Sequence, residues 1–537
     1  VISVPAPQPA AGDKVPAEEQ FKTALHPLDS DAEIARLARE GSADLPREWA
    51  FRLRWYGLFW EGPRSDTFMV RIKVTGGKLS AGQLAGVCAL TERLGLPFLD
   101  VTTRQGLQLR GVAARDLPEL LDGLAALGLT SMRSGADNIR NLMVCPAAGV
   151  GVDELADVLP LANSLQRRLT AGREFADLPR KFNIALCGCG TACIHPELAD
   201  IAVLAVQHPE GEEIGYTLWV GGQPSTTRVF GHNLSLFLDA GQVPEVCAAI
   251  LSVFRDHGNR FNRKQARLSH LIESWGLERF AATVEAVLGW SLPRVAGIAA
   301  PGHGECDGIG MYLQRQAGRC RVGVALPVGR LSVAQGRALA RLSQLHGSGE
   351  LRLTPRQNLH ILHVSAANAA ALENALAGFG LRTAASPVRA AITACSGNSY
   401  CKLATVETKH RALDIVDYLE QQGLADEPLI MALSACPNTC ALHANADIGL
   451  QGCKVKTDAG VVEGFHLLVG GGTGPGAAFG HPLFQKVPGE QINPQLAQVI
   501  HIWRLQRQPG EGFGAFCRRH TPEQLGAIFT QGETAHA

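Results

Sequence analysis

VRIKVTGGKLSAGQ at residues 70–83 returns as VGVALPVGRLSVAQ at 322–335, and TTRQGLQLRGV at 102–112 returns as TPRQNLHILHV at 354–364. The spacing carries no gap: Gly77 and Gly329 stand 252 residues apart, as do Arg104 and Arg356. Identical pairs at that offset include Leu79/Leu331, Ser80/Ser332, Gln83/Gln335, Thr102/Thr354, Gln105/Gln357 and Leu107/Leu359. So many matches in one order mark an internal repeat. Alternating apolar residues, Val70, Ile72 and Val74 in one copy and Val322, Val324 and Leu326 in the other, predict a strand. An Ala/Leu-rich helical segment and a further strand follow, so each copy reads β-α-β.

A fainter repeat comes after each of these. ADIAVLAV near Asp200 matches ADIGLQG near Asp447, and GYTLWVGG at Gly215 matches GFHLLVGGG at Gly464, at offsets of 247 and 249. The chain therefore predicts a duplicated two-part unit of α/β (α+β) class. For most repeated positions the plain reading is scaffold. Duplication still matters for function, because two pseudo-equivalent halves can enclose a ligand between them.

The chain has 537 residues, enough for three or four domains, and 46% hydrophobic against 19% charged residues supplies ample core. Lys+Arg and Asp+Glu are both 50, a net charge of +0, which argues against a protein that coats nucleic acid. No uninterrupted apolar run approaches the roughly 20 residues of a membrane span. Neither nucleic acid nor membrane is an expected partner. Residues 1 to about 30, rich in Pro, Ala and acidic residues, read as an extended or mobile arm without chemistry. They lack the charged-then-apolar pattern of a signal peptide and the Arg/Ser richness of a transit peptide, so a reduced, cytoplasmic setting is expected.

In that setting the spacing of the 14 cysteines matters more than their number. ACSGNSYC and SACPNTC place Cys395 and Cys401 with five residues between them, then Cys436 and Cys440 with three. Four thiolates at these positions suit zinc or an iron-sulfur cluster, with buried unliganded thiols as the bland alternative; the wide first pair leans toward a 4Fe-4S cluster. ALCGCGTACIHP offers Cys187, Cys189 and Cys193, with His195 as a conceivable fourth ligand. This triplet reads more simply as small apolar residues around a turn, the first half's counterpart of the cluster region. Cys88, Cys145, Cys247, Cys306, Cys320, Cys453 and Cys517 are dispersed and read as core or surface thiols. GHGECDG at Gly302 and GGGTGPG at Gly470 are glycine-rich but lack the order and setting of a dinucleotide fingerprint, so they read as turns.

Cys395-x5-Cys401 and Cys436-Pro437-Asn438-x-Cys440, together with TTRQ, DNIRN, LPRKFN and ADIG, resemble the sirohaem-containing nitrite and sulfite reductase family over roughly residues 50 to 515. The ordered set is far more specific than any one motif. The resemblance implies that the four cysteines hold a 4Fe-4S cluster and that Cys440 also bridges to the sirohaem iron as axial ligand. It implies a 1–50 N-terminal arm, ferredoxin-like half-repeats at 51–132 and 311–386, and sirohaem-enclosing lobes at 133–310 and 387–537, the last carrying the cluster. It also implies that Arg104, Arg140 and Lys181 face the substrate. Arg retains its charge and presents a planar fork, whereas Lys gives up a proton more readily, so the arginines are expected to bind the anion and Lys181 to donate protons. Arg356, the repeat partner of Arg104, is expected to contact a haem carboxylate or fix structure.

Asn183 discriminates within the family. Nitrite reductases typically read K-F-N where sulfite reductases read K-x-K, and this chain has Lys181-Phe182-Asn183. RWYGLFW (Trp55, Tyr56, Gly57), SGNSYC and VETK lean the same way. The expected activity is six-electron reduction of nitrite to ammonia, with reduced ferredoxin or flavodoxin as donor. Assimilatory sulfite reduction is the alternative, and a non-catalytic haem/cluster electron carrier or redox sensor the third reading.

Overall fold

The repeated identities are the residues that shape one local structure twice. In the computed structural model, which describes residues 14–62, 65–191, 193–225, 227–299, 302, 306–458 and 460–530, Ser80 caps the helix Ala81–Arg93. Its hydroxyl accepts from the Gln83 amide at 3.1 Å while Gln83 Oε1 accepts from the Ser80 amide at 3.0 Å. Ser332 and Gln335 build the same reciprocal box on Val333–His346, at 3.2 and 3.1 Å. Gln105 and Gln357 both adopt positive φ, and each reaches into the other half. Gln105 Nε2 donates to the Leu353 carbonyl at 2.9 Å, and Gln357 Nε2 to the Val101 carbonyl at 3.1 Å. Gly77 and Gly329 also have positive φ; a Cβ there would stand 2.5 Å from those same two carbonyls, so only glycine fits.

These contacts interlock the repeats. One five-stranded sheet runs in the order Leu58–Trp60, Thr67–Ile72, Leu107–Ala113, Phe98–Val101, and ends on Arg330–Ser332 from the second repeat. The other runs Gly310–Leu313, Arg319–Val324, Leu359–Ser365, Glu350–Leu353, and ends on Lys78–Ser80 from the first. Each half lends the other an edge strand, with Leu79 opposite Leu351 and Leu331 opposite Leu99. All four leucines are buried, and residues of both repeats share one core.

The fainter repeat forms two further sheets. The order Met143–Val144, Ile184–Cys187, Ile201–Gln207, Ile214–Val220, His232–Asn233 is matched by Thr393–Ala394, Met431–Ser434, Ile448–Thr457, Gly460–Val469, His481–Pro488. In each, the first three strands are parallel and the rest antiparallel.

The expected extended arm is corrected over its described part. Helices Ala17–Ala24 and Asp31–Glu40 occupy it, and the buried Lys22 ammonium meets Glu19 at 2.6 Å, Asp177 at 2.8 Å and Asp137 at 3.6 Å. A buried ammonium needs such partners, and two of them come from the first lobe. Residues 1–13 lie outside the described ones.

Candidate functional site

Cys395 directly follows the strand Thr393–Ala394, and Cys436 lies just past the end of its parallel neighbour Met431–Ser434. Parallel strands deliver their ends to one side, so both thiols arrive at the same rim. Cys401 comes from the loop between, whose turn at Gly397 has positive φ and leaves no room for a Cβ beside the Thr408 amide. Tyr400 in that loop lies edge-on to Phe98 and under the Arg110 guanidinium, pinning the loop to the first repeat. Cys440 is tied there too, its carbonyl accepting from Thr103 Oγ1 at 3.0 Å. All four cysteines line one cavity of about 360 Å³. Burial, then the neighbouring Cys440, pushes the Cys395 thiol up.

Cations from the first half line the same cavity. Arg104 sits in the TTRQ turn and Arg140 in DNIRN, and both line the cavity with Arg71 and Lys73. Arg140 is held by its Nη groups on the carbonyls of Ser134 (3.1 Å) and Ala136 (2.8 Å), while its buried Nε has no hydrogen-bond partner. Its backbone amide donates to the Phe182 carbonyl at 2.8 Å, setting the DNIRN and LPRKFN segments side by side. Lys181 does not line the cavity itself, yet it interacts electrostatically with Arg104, Arg140 and Cys440.

Charge is crowded here. Burial, then repulsion from Arg71 and Arg104, holds Arg140 well below the usual guanidinium range. Burial, then Arg267, Arg104 and Arg140, does the same to the Lys181 ammonium, and burial lowers Lys73 to about 7. Among the described residues neither lysine pairs with a carboxylate. Lys73 is buried and Arg71, Arg104, Arg140 and Lys181 are half-buried, and such a cluster of cations, without carboxylate partners among the described residues, calls for anions.

Asn183 is fully engaged. Its amide nitrogen donates to Asp200 Oδ2 at 3.0 Å and its Oδ1 accepts from Arg104 Nε at 3.2 Å. Asp200 is in turn clamped by Arg267, with contacts of 2.7 to 3.1 Å. The result is a relay, Arg267 to Asp200 to Asn183 to Arg104. Arg104 makes no other side-chain hydrogen bond within the described chain, so its Nη groups are left for a ligand.

Arg71 and Lys73 are cavity-lining cations that the sequence reading missed. Their signal was the alternation in VRIKV, where the apolar residues mark the core face and the two cations mark the other. Arg356 lies in a different cavity from Arg104, with its Nε 3.3 Å from Asp307, an ion pair that fits the structural alternative.

A second correction concerns the cysteines. A tight four-cysteine ligand group is present, but its members are Cys145, Cys189, Cys193 and Cys306, with all four Sγ atoms within 4.8 Å of one another. Two of these were read as dispersed and two as turn residues. His195 is outside the group and lines the cavity of Arg356.

Residues 135–292 and 386–519 match the nitrite and sulphite reductase 4Fe-4S domain, and residues 62–127 and 312–379 match the nitrite/sulfite reductase ferredoxin-like half domain. A ferredoxin–nitrite reductase of Synechococcus elongatus is 38% identical over 484 residues, covering 88% of this chain and 92% of that protein. A ferredoxin sulfite reductase of Mycobacterium tuberculosis is 33% identical over 544 residues, covering 96% and 97%. The solved structure of the Mycobacterium tuberculosis NirA protein gives a TM-score of 0.89 at 32% identity, covering 96% of this chain and 98% of that one. With its halves interlocked and four cysteines and a set of cations lining one cavity, the chain belongs to the nitrite and sulphite reductase family.

Proposed function

We propose that this chain is a ferredoxin-dependent nitrite reductase, taking nitrite with six electrons and eight protons to ammonium and two waters. The observation that carries this reading is the set of cations sharing a cavity with Cys440, with Arg104 held in place by a neutral amide. Cys395, Cys401, Cys436 and Cys440 would hold a 4Fe-4S cluster, and Cys440 would also ligate sirohaem. The donor set fits: the four thiols suit the cluster, and the cations without carboxylate partners in the same cavity suit both a carboxylated macrocycle and a small anion. When bound, these groups supply single-electron transfer and an iron for the anion.

The remaining work falls to the protein. Arg104 and Arg140 bind the anion and stabilise charge as oxygen leaves. Lys181 donates protons, because burial among arginines makes its ammonium a stronger acid than a free lysine. Arg71 and Lys73 add to the positive field. Asn183 acts as a positioning residue through Arg104. Nitrite is a monoanion, whereas sulfite carries more charge near neutral pH, so a neutral amide at this position favours nitrite.

The test is Asn183→Lys. A second ammonium beside Arg104 is expected to raise the sulfite-to-nitrite ratio of kcat/KM by ~10-fold, about 1.4 kcal/mol. An unchanged ratio in a variant that still turns over would remove Asn183 as a determinant.

A further inference from the structure

We propose that Cys145, Cys189, Cys193 and Cys306 bind a single zinc ion in the first lobe. The geometry is that of a one-metal site. Cys189 Sγ stands 3.6 Å from Cys145 Sγ, 3.7 Å from Cys193 Sγ and 3.7 Å from Cys306 Sγ. Zinc–thiolate bonds of about 2.3 Å at tetrahedral angles put neighbouring sulfurs about 3.8 Å apart. A four-iron cluster interposes a cube of iron and sulfide and holds its thiolates wider. Within the described residues, Cys395, Cys401, Cys436 and Cys440 do not form so tight a group.

The duplication explains how the site arose. Cys145 directly follows the strand Met143–Val144 as Cys395 follows Thr393–Ala394. Cys189 and Cys193 precede Cys436 and Cys440 by 247 residues, the offset that also relates Asp200 to Asp447. Three ligands are thus the first lobe's counterparts of three cluster cysteines. The fourth comes from elsewhere. Gly302 donates its amide to the Gly190 carbonyl at 2.6 Å, bringing that segment of chain to the knuckle, and Cys306 completes the set.

Three of the four side chains are buried and the fourth half-buried, so water cannot easily compete. Cys187 is a fifth thiol nearby, its Sγ 3.5 Å from Cys189 Sγ and 2.8 Å from the Thr191 carbonyl, but it is not a member of the group whose four sulfurs all lie within 4.8 Å of one another. An ion here would also fasten the lobe to the second repeat, because the Cys306 carbonyl accepts from Arg321 Nη1 at 2.8 Å, and Arg321 lies in the strand Arg319–Val324. This inference is independent of which anion the enzyme reduces.

The experiment is metal analysis of the purified holoprotein. One zinc per chain is expected beside the iron. Cys306→Ser should lower the zinc retained after dialysis against a chelator by about tenfold or more, since changes even in the surroundings of metal ligands cost that much. Iron content and the visible spectrum should not change. Cys187→Ser should keep its zinc. X-ray absorption at the zinc edge of the unaltered protein should give four sulfur neighbours at about 2.3 Å, which keeps the proposal testable if Cys306→Ser fails to fold. No zinc in the unaltered protein, extra iron in its place, an intact mass showing disulfides among these cysteines, or a mixed nitrogen and oxygen shell would overturn it.

Discussion

On the proposed reading, Lys181 is the side chain that donates the protons. A proton donor works only while protonated, and the protonated fraction falls as pH rises through its pKa. Because burial and three arginines lower that pKa, the alkaline limb of kcat should lie below the usual lysine range of about 10.4. Lys181→Gln should reduce kcat by about a hundred- to ten-thousand-fold, abolish that limb and change KM little, as measured by steady-state pH profiles. A wild-type limb retained in the variant would assign the protons to another group, with Lys73 first in line. Lys181 was readable because its motif is linear. Arg71 and Lys73 were not, because alternation shows that two faces differ but not whether the second meets water or a cavity.

At the scale of elements, the close approach of helices Ala81–Arg93 and Val333–His346 locks the two repeats together. A Cβ on Gly336 would run into Cys88 Sγ, and Arg337 pairs with Glu92 across the same contact at 2.5 Å. Gly336→Leu should overpack it and cost about 1–3 kcal/mol, read as a lower denaturation midpoint in urea; an unchanged midpoint would mean that the helices separate freely. The β-α-β units were legible because Leu79, Ser80 and Gln83 recur with their partners at one offset. The exchange of edge strands was not, since three-residue segments such as KLS and RLS carry no pattern naming a partner. The helix Ala17–Ala24 was hidden for a related reason. Its composition reads as disordered, whereas Lys22 is held by Asp137 and Asp177 from more than a hundred residues away.

For the whole molecule, duplication followed by divergence accounts for most of the functional layout. Corresponding turns carry Arg104 in one half and Arg356 in the other; the first faces the cysteine cavity and the second is tied to Asp307. Corresponding strand ends carry Cys395 and Cys145, one on the open cavity and one in a compact thiol group. The balanced total of 50 basic and 50 acidic residues conceals a local excess of cations around the cysteine cavity. On the proposed reading, that asymmetry confines the reduction of a small anion to one side. The most direct measurement is turnover of the purified holoenzyme with reduced ferredoxin, quantifying ammonia from nitrite and sulfide from sulfite as kcat/KM. The account predicts ammonia as the product, with nitrite preferred. A higher kcat/KM for sulfite, or no ammonia from nitrite, would contradict it.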